Sequence, residues 1–302
     1  MGSPLVSIGL PFHNAVGTLP DAIRSVFAQT YTNWELILVA DGSTDGSDRI
    51  AAQIDDARVR TIVGTERRFL AHRLNQIAHE ATGQFLARMD ADDLSHPARL
   101  EQQVRFLLDH REVDGCGTGV YMLNAKDALV GVQRPSALQH EEICATPLRG
   151  VPIAHATFVA RTEWFRRHPY DERLRRAQDW GLWLSSLATS RFANVPDLLY
   201  LYRSVGTLPL LRYWATIGAL MTAIWRYGRV PCGVLSAARA LFRLLARSSS
   251  YTMVAPLGLA PRLSGRSGST PTPEERVRFS QALRRIQGTE LPLQVPKDSG
   301  TS

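Results

Sequence analysis

Phe85-Leu86-Ala87-Arg88-Met89-Asp90-Ala91-Asp92-Asp93 is the stretch on which the reading of this chain turns. A short apolar run ends in crowded carboxylates, and Pro97 follows, a residue suited to the first turn of a helix. Like charges at a strand end repel unless a cation sits between them. A hard divalent ion answers that need, since Mg²⁺ takes one or two carboxylates together with substrate phosphates. The motif therefore points to a metal-bound diphosphate. A solvated acidic turn would carry the same letters, so the surrounding sequence must decide.

Upstream, strand and helix signals alternate. Leu5 to Leu10 reads as a buried strand, and Thr18 to Ala28 has helical spacing through Leu19, Ile23, Val26 and Phe27. Glu35 to Ala40 is a second apolar strand that ends at Asp41. Gly46 to Ile54 reads as a helix that Asp45 can cap. Val59 to Val63 is a third strand, and Ala71 to Ala81 a helix with Gly83 placed to terminate it. Gln84 to Arg88 is the fourth strand, and Pro97 to Leu108 the next helix. This order predicts an α/β fold, a parallel sheet with helices on both faces. Ligands of such sheets lie beyond the carboxyl ends of the strands. Phe12-His13-Asn14, Asp41-Gly42-Ser43 and the acidic cluster all fall at such ends.

The second part is mixed. Val113 to Leu123, Leu129 to Arg134, Phe192 to Val195 and Leu198 to Tyr202 read as strands. Thr162 to Arg167 and Asp179 to Ser190 read as helices.

Taken in order, Val6-Ser7-Ile8-Gly9-Leu10-Pro11-Phe12-His13-Asn14, then Leu36 to Asp45, then Ala87 to Asp93, the chain resembles family 2 glycosyltransferases of the GT-A fold. The resemblance runs from about Pro4 to Arg203. It implies a Rossmann-like, mostly parallel central sheet and an inverting sugar transfer from a nucleotide-sugar donor, with UDP the expected nucleotide. Pro11, Phe12 and Asn14 match the segment lining the nucleotide pocket. Asp41 matches the carboxylate that accepts a hydrogen bond from the base, a role for an acceptor-only group. Arg73 and Asn75 lie where the family carries an arginine and an asparagine facing the donor, and Arg73 suits phosphate through its planar donors. An arginine on the exposed face of an amphipathic helix is the competing reading. The resemblance makes Asp92 the direct ligand of a divalent metal, Mg²⁺ or Mn²⁺. It places Asp90 on the ribose or sugar hydroxyls, with Ala91 between them in the donor site and Asp93 nearby.

Gln178-Asp179-Trp180-Gly181 resembles the family's acidic dyad at a helix start, with Gln where Glu is usual. Asp179 is the matching catalytic base, and an N-cap role fits it equally well. His155 and Trp180 are candidates for the acceptor site, and a packed structural histidine is the alternative for His155. Tyr202-Arg203 is followed by Ser204-Val205-Gly206-Thr207, without the histidine some relatives carry there. The acceptor implied is a hydroxyl of a cell-surface glycan or of a lipid-linked glycan. A nucleotidyltransferase also uses an α/β sheet and paired carboxylates. It would need a Gly-rich basic loop after the first strand, where only Phe12-His13-Asn14-Ala15-Val16-Gly17 stands. A non-catalytic sugar-nucleotide binder is the other alternative, against which Asp90, Asp92 and Asp179 argue.

Charge defines the remainder. The 302 residues carry a formal net charge of +7. Leu208 to Arg262 holds seven arginines and no acid, which accounts for the whole excess. No recognition motif supports a nucleic-acid partner. Val234, Leu235, Ala238, Leu241, Phe242 and Leu245 share one face of a predicted helix, and Arg239, Arg243 and Arg247 recur on the other. Such a helix can lie on anionic lipid or pack on its own domain. The lack of acids and the nearby Trp214, Trp225 and Tyr227 favour peripheral contact with an anionic membrane. The thirteen uncharged residues from Tyr213 to Trp225 are too few for a span, which needs about 20. The three cysteines form no C-x-x-C pair, and Met1-Gly2-Ser3-Pro4 opens no secretory signal. The expected location is the cytoplasm, at the inner face of the plasma membrane. The expected organisation is a catalytic domain over 1–207, a basic helical appendage over 208–262 and a flexible tail over 263–302. That tail is rich in Gly, Ser, Thr and Pro, with one short helix near Glu274 to Ile286.

Overall fold

The computed structural model describes residues 2–203, 209–254 and 268–294. The expected boundaries at 207/208 and 262/263 lie outside these residues, as do Ser204 to Thr207 and Arg262. The first half runs β1 (Val6–Phe12), α1 (Leu19–Phe27), β2 (Trp34–Asp41), α2 (Ser47–Ala52), β3 (Val59–Gly64), α3 (Phe69–Glu80) and β4 (Phe85–Arg88). Next come β5 (Leu94–Ser95), α4 (Arg99–Asp109), β6 (Gly115–Leu123), β7 (Leu129–Gln133), α5 (His140–Ile143), β8 (Val159–Arg161) and α6 (Thr162–Arg167). Then follow α7 (Gln178–Ser186), β9 (Phe192–Arg203) and α8 (Leu210–Ala223). A π-helical turn (Ile224–Gly228) leads into α9 (Arg229–Cys232), α10 (Val234–Val254) and α11 (Pro273–Gln287).

One nine-stranded sheet has the order β3-β2-β1-β4-β8-β6-β9-β5, with β7 on β6. β3, β2, β1 and β4 are parallel, as the βαβ alternation predicts. β8 pairs antiparallel with both β4 and β6, so the whole sheet is mixed. Both faces of β1, β2 and β4 are buried, while the edge strand β3 is partly exposed. Leu36, Leu38 and Ala40 of β2 join α1 and α4 residues in one core, and Ile37 and Val39 join α3, α6 and α7 in the other. This explains the unbroken apolar runs.

Several details depart from the sequence reading. Gly83 does not end α3 in a left-handed turn, because Ala81 already leaves the helix extended. It serves a close approach instead, since a Cβ there would meet Leu5 O and Ser7 N at 2.6 Å. The two strands expected at 192–195 and 198–202 are one strand, β9. Its pairing jumps from Thr118↔Val195 to Gly119↔Leu198, so Pro196 and Asp197 are accommodated as a bulge. α7 stops at Ser186 rather than Ser190.

The C-terminal segment also differs from a flexible tail within the described residues 268–294. Thr272 and Glu275 form a capping box at the start of α11. Phe279 and Ile286 of that helix are buried with Ala28, Tyr121 and Leu201. Arg285 Nε donates to Ala28 O at 3.0 Å, and Arg24 Nε donates to Thr289 O at 3.1 Å. Composition suggested looseness, but the buried apolar face holds this helix on α1 and β6.

α8 and α10 lie side by side, with Tyr213 Oη to Ser248 Oγ at 3.2 Å and Trp214 Nε1 to Thr252 Oγ1 at 3.1 Å. The pair packs on α7 through Leu184, Ile224, Ala237 and Ala240. The packed face of α10, with Ala237, Ala240, Leu241 and Leu244, shares only Leu241 with the apolar face expected for it. Leu235 and Phe242 remain 63% and 74% exposed. Among the described residues no helix is long and apolar enough to cross a membrane.

Candidate active site

Three strand ends build the site. At the end of β2, Asp41 is buried, and its Oδ1 accepts from Arg68 N at 2.7 Å and Arg73 Nε at 2.8 Å. Its Oδ2 accepts from Phe69 N at 3.0 Å. A carboxylate has roughly four lone-pair sites, so about one stays available to a ligand N–H. Arg73 is buried and also donates to Glu66 O and Gln76 Oε1. It fixes Asp41, and these protein acceptors engage its Nε, Nη1 and Nη2. Gly64 permits this approach, since a Cβ there would stand 2.3 Å from Arg73 Nη2. Asn75 is engaged by the protein as well. It exchanges hydrogen bonds with the Tyr170 backbone at 2.8 and 3.0 Å and so holds the loop before α7.

At the end of β1, Pro11 is buried and Phe12 is only 3% exposed. The Phe12 ring belongs to the core between α1 and the sheet, so it does not form an open pocket wall. His13 Nδ1 lies 2.9 Å from Asp41 O, and the His13 ring stands beside Asp41 instead. Asn14 is exposed with φ 50°, a region asparagine tolerates. Its Oδ1 accepts from Thr44 N at 2.8 Å, and its N donates to Ser43 Oγ at 3.2 Å. Gly46, at φ 93°, occupies the α2 cap position, while Asp45 Oδ1 accepts from Ser47 N at 3.0 Å. The loops after β1 and β2 are thus tied together.

Beyond β4, carboxylate atoms of Asp90, Asp92 and Asp93 lie within 4.8 Å of one another. Asp92 is exposed, Ala91 is buried and Asp93 is 1% exposed. Asp93 Oδ1 accepts from Arg203 N at 2.8 Å, while its Oδ2 is buried without a partner. Burial first, then the Asp90 and Asp92 charges, push the Asp93 carboxyl well above its ordinary range. Crowded, under-neutralised, oxygen-only donors fit a hard divalent cation.

Sequence reasoning missed Arg88 and Tyr200 behind this cluster, whereas Arg203 belongs to the Tyr202-Arg203 pair read from the sequence. Arg88 Nη2 donates to Asp90 Oδ1 at 2.6 Å, and the buried Arg88 Nε and Nη1 have no partner. Tyr200 Oη accepts from Asp90 N at 3.1 Å. Arg203 clasps Asp127 at 2.6 and 2.9 Å and donates to Asp92 O at 3.2 Å. A lone arginine inside the apolar β4 run was the available signal for Arg88. Nothing local marks Tyr170 or Tyr200.

Asp179 sits in the first turn of α7, where the helix dipole favours an anion. Ala177, at φ 52°, occupies the cap position, so Asp179 is not the N-cap. Exclusion of water raises the Asp179 carboxyl, against the lowering pull of the Trp180 N–H and Arg88. Arg88, Asp179 and Asp90 all bear electrostatically on the buried Tyr170 phenol, so base candidate and acidic cluster share one neighbourhood. His155 Nε2 lies 2.8 Å from Tyr170 Oη, with its ring edge-on to Trp183. Burial and then Arg88 hold the His155 imidazole well below its usual range, hence neutral. Trp180 points elsewhere. Its ring packs with Leu148, Tyr227, Leu241 and Leu244 under the helical pair.

Comparison with known proteins bears on this geometry. The pattern described as "Glycosyl transferase family 2" matches residues 7–169. EpsE of Bacillus subtilis, named as a glycosyltransferase, is 36% identical over 207 residues, covering 66% of this chain and 73% of that relative. The Escherichia coli enzyme WfgD, "UDP-Glc:alpha-D-GlcNAc-diphosphoundecaprenol beta-1,3-glucosyltransferase", is 27% identical over 196 residues, covering 65% and 74%. Among solved structures, S. aureus TarS 1-349 with UDP-GlcNAc aligns with TM-score 0.60 at 16% identity, covering 95% of this chain and 81% of TarS. The mannosyltransferase PcManGT of Pyrobaculum calidifontis, with GDP-Man and Mn²⁺, aligns with TM-score 0.60 at 20% identity, covering 95% and 88%. At such identities the structural likeness speaks for a shared GT-A fold.

Proposed function

The chain belongs to glycosyltransferase family 2, and from that premise we propose an inverting, metal-dependent transfer from a UDP-sugar to a hydroxyl of a lipid-linked or cell-surface glycan. The observation that carries this reading is the cluster of Asp90, Asp92 and Asp93 at the end of β4, with Arg88 on Asp90; Asp179 and Asp90 both bear electrostatically on the same buried Tyr170. Asp92, with Asp93 and Asp90 beside it, would hold Mg²⁺ or Mn²⁺. When bound, that ion supplies positive charge where the diphosphate departs.

The protein's own groups supply the rest. Asp41, oriented by Arg73, accepts the N–H of the base. Asn14 and the segment from Pro11 line the same pocket, with Phe12 contributing backbone rather than its buried ring. Ala91 leaves room beside the cluster for the donor. Asp179 accepts the acceptor hydroxyl proton as the new C–O bond forms and the bond to the diphosphate oxygen breaks. The sugar carbon passes through an oxocarbenium-like state, as in glycoside hydrolysis. His155, kept neutral by burial and then by the Arg88 charge, stands on the acceptor side against Tyr170, and Trp180 braces the helix carrying the base. The acceptor class draws support from the lipid-diphosphate substrate in the name of WfgD. The Arg-rich helix α10, with its exposed Leu235 and Phe242, supports work at the cytoplasmic face of an anionic membrane.

The test is calorimetry of UDP binding with Mn²⁺ to wild type and to Asp92→Asn. The mutant should lose metal-dependent binding and turnover while it stays folded. Undiminished metal-dependent affinity in the mutant would remove Asp92 from the donor site.

A further inference from the structure

Where α8, the π-turn and α10 meet, a groove of about 490 Å³ is lined by Met221, Thr222, Trp225, Arg226, Arg229 and Leu241. Its size falls in the range of small-ligand pockets, about 300–1,000 Å³. Apolar side chains form one part of the lining, and two guanidinium groups form another. Arg229 stands over the Trp225 ring at 5.5 Å, and no carboxylate pairs with Arg229 among the described residues. The whole stretch from Leu208 to Arg262 offers no Asp or Glu. Arg226 is offset in part by Asp171 from outside that stretch, which leaves Arg229 as the uncompensated charge, and an occupant with an apolar chain and an anionic head matches this lining.

The groove is also wired to the candidate active site. Arg226 Nη1 and Tyr227 Oη both donate to Asp171 Oδ2, at 3.2 and 2.5 Å. Asp171 follows Tyr170, whose hydroxyl meets His155. Leu241 lines the groove and also packs in the cluster that holds Trp180, the residue after Asp179. A site for bulk lipid alone would need no such connection to the base helix.

We propose that this groove binds the phosphate-bearing end of a polyisoprenoid-linked acceptor, a deepening that rests on the lipid-linked reading above. Arg226 and Arg229 take the diphosphate oxygens, for which guanidinium forks are suited. Met221, Trp225 and Leu241 take the first isoprene units. The attached sugar then extends past Trp180 toward Asp179.

The full-length protein tests this by calorimetry with farnesyl diphosphate in EDTA, which keeps the probe out of any metal-bound donor site. Inorganic diphosphate, farnesol and phosphatidylglycerol vesicles are run beside it. Farnesyl diphosphate should bind saturably, and the head or the chain alone at least about tenfold more weakly. Arg229→Gln and Trp225→Ala should each weaken it by about tenfold. Both side chains are exposed, so an unchanged thermal midpoint is expected for each variant. Equal affinity in wild type and both variants overturns the assignment. So does binding to the vesicles without competition from farnesyl diphosphate, which makes the groove an ordinary bilayer contact. Metal-dependent hydrolysis of nucleotide sugars by the wild type is measured in parallel. Hydrolysis without farnesyl diphosphate binding defeats the groove assignment alone, whereas no hydrolysis of any sugar nucleotide defeats the transferase reading beneath it.

Discussion

Arg88 Nη2 donates to Asp90 Oδ1 across 2.6 Å, and its two remaining nitrogens are buried without partners. A buried guanidinium is costly unless several anions use its charge. Asp90, Asp92 and Asp179 all lie within its electrostatic reach. Arg88 is therefore a fixed positive charge shared by the clustered carboxylates and Asp179.

Arg88→Gln should cost about 3–5 kcal/mol of stability, the range for breaking one partner out of a buried pair. It should also move the acid limb of the kcat profile to higher pH. Arg88 lowers the Asp179 carboxyl, so its loss makes that group harder to ionise. Arg88→Lys should restore much of the profile. A profile that stays in place in Arg88→Gln would show that Arg88 serves packing only.

For Asp179→Asn, kcat should fall by about 10²–10⁴-fold, the usual contribution of a general base. Donor affinity should remain near wild type, because the substitution lies on α7, away from Asp41. The wild-type acid limb should lie above the ordinary Asp value of about 3.9, since exclusion of water raises this carboxyl. Stopped donor binding in the mutant would place Asp179 in the nucleotide site instead.

Metal-free protein should lose stability as pH rises from about 3.9 up to the raised native value of Asp93. The sign follows from the raised native value: over that window the native state keeps a proton that the unfolded chain has released. Thermal melts in EDTA should show the decline, Mn²⁺ should oppose it, and Asp93→Asn should flatten it. An Asp93→Asn melt with the wild-type pH slope would exclude Asp93 as its source.

Replacing Arg239, Arg243 and Arg247 together by Glu should release the protein from anionic vesicles, each basic side chain contributing about 1 kcal/mol there. High salt should weaken wild-type binding, as screening shortens to about 3 Å at 1 M. Activity on a soluble acceptor analogue should persist. Equal binding to neutral vesicles would point to insertion of Leu235 and Phe242 as the driving contact.

The parallel half of the fold and the polar motifs at its strand ends were legible because they are local. Apolar runs set β1, β2 and β4, and the residues that follow each run necessarily emerge at one sheet edge. Asp41, Asp90, Asp92 and Asp93 could be placed by counting along the chain. Which surfaces meet was not local. Arg73 pairs with Asp41 from 32 positions away, and Asn75 grips the Tyr170 backbone across 95. Phe12 turned inward because α1 and α4 cover that face of the sheet. α11 docks on α1 through Arg285 and Ala28, 257 positions apart, although its flanking composition reads as loose chain. Sequence alone determined where strands end and which charges gather there. Tertiary structure decided which of those charges are paired, because burial and pairing depend on contacts that no spacing along the chain encodes.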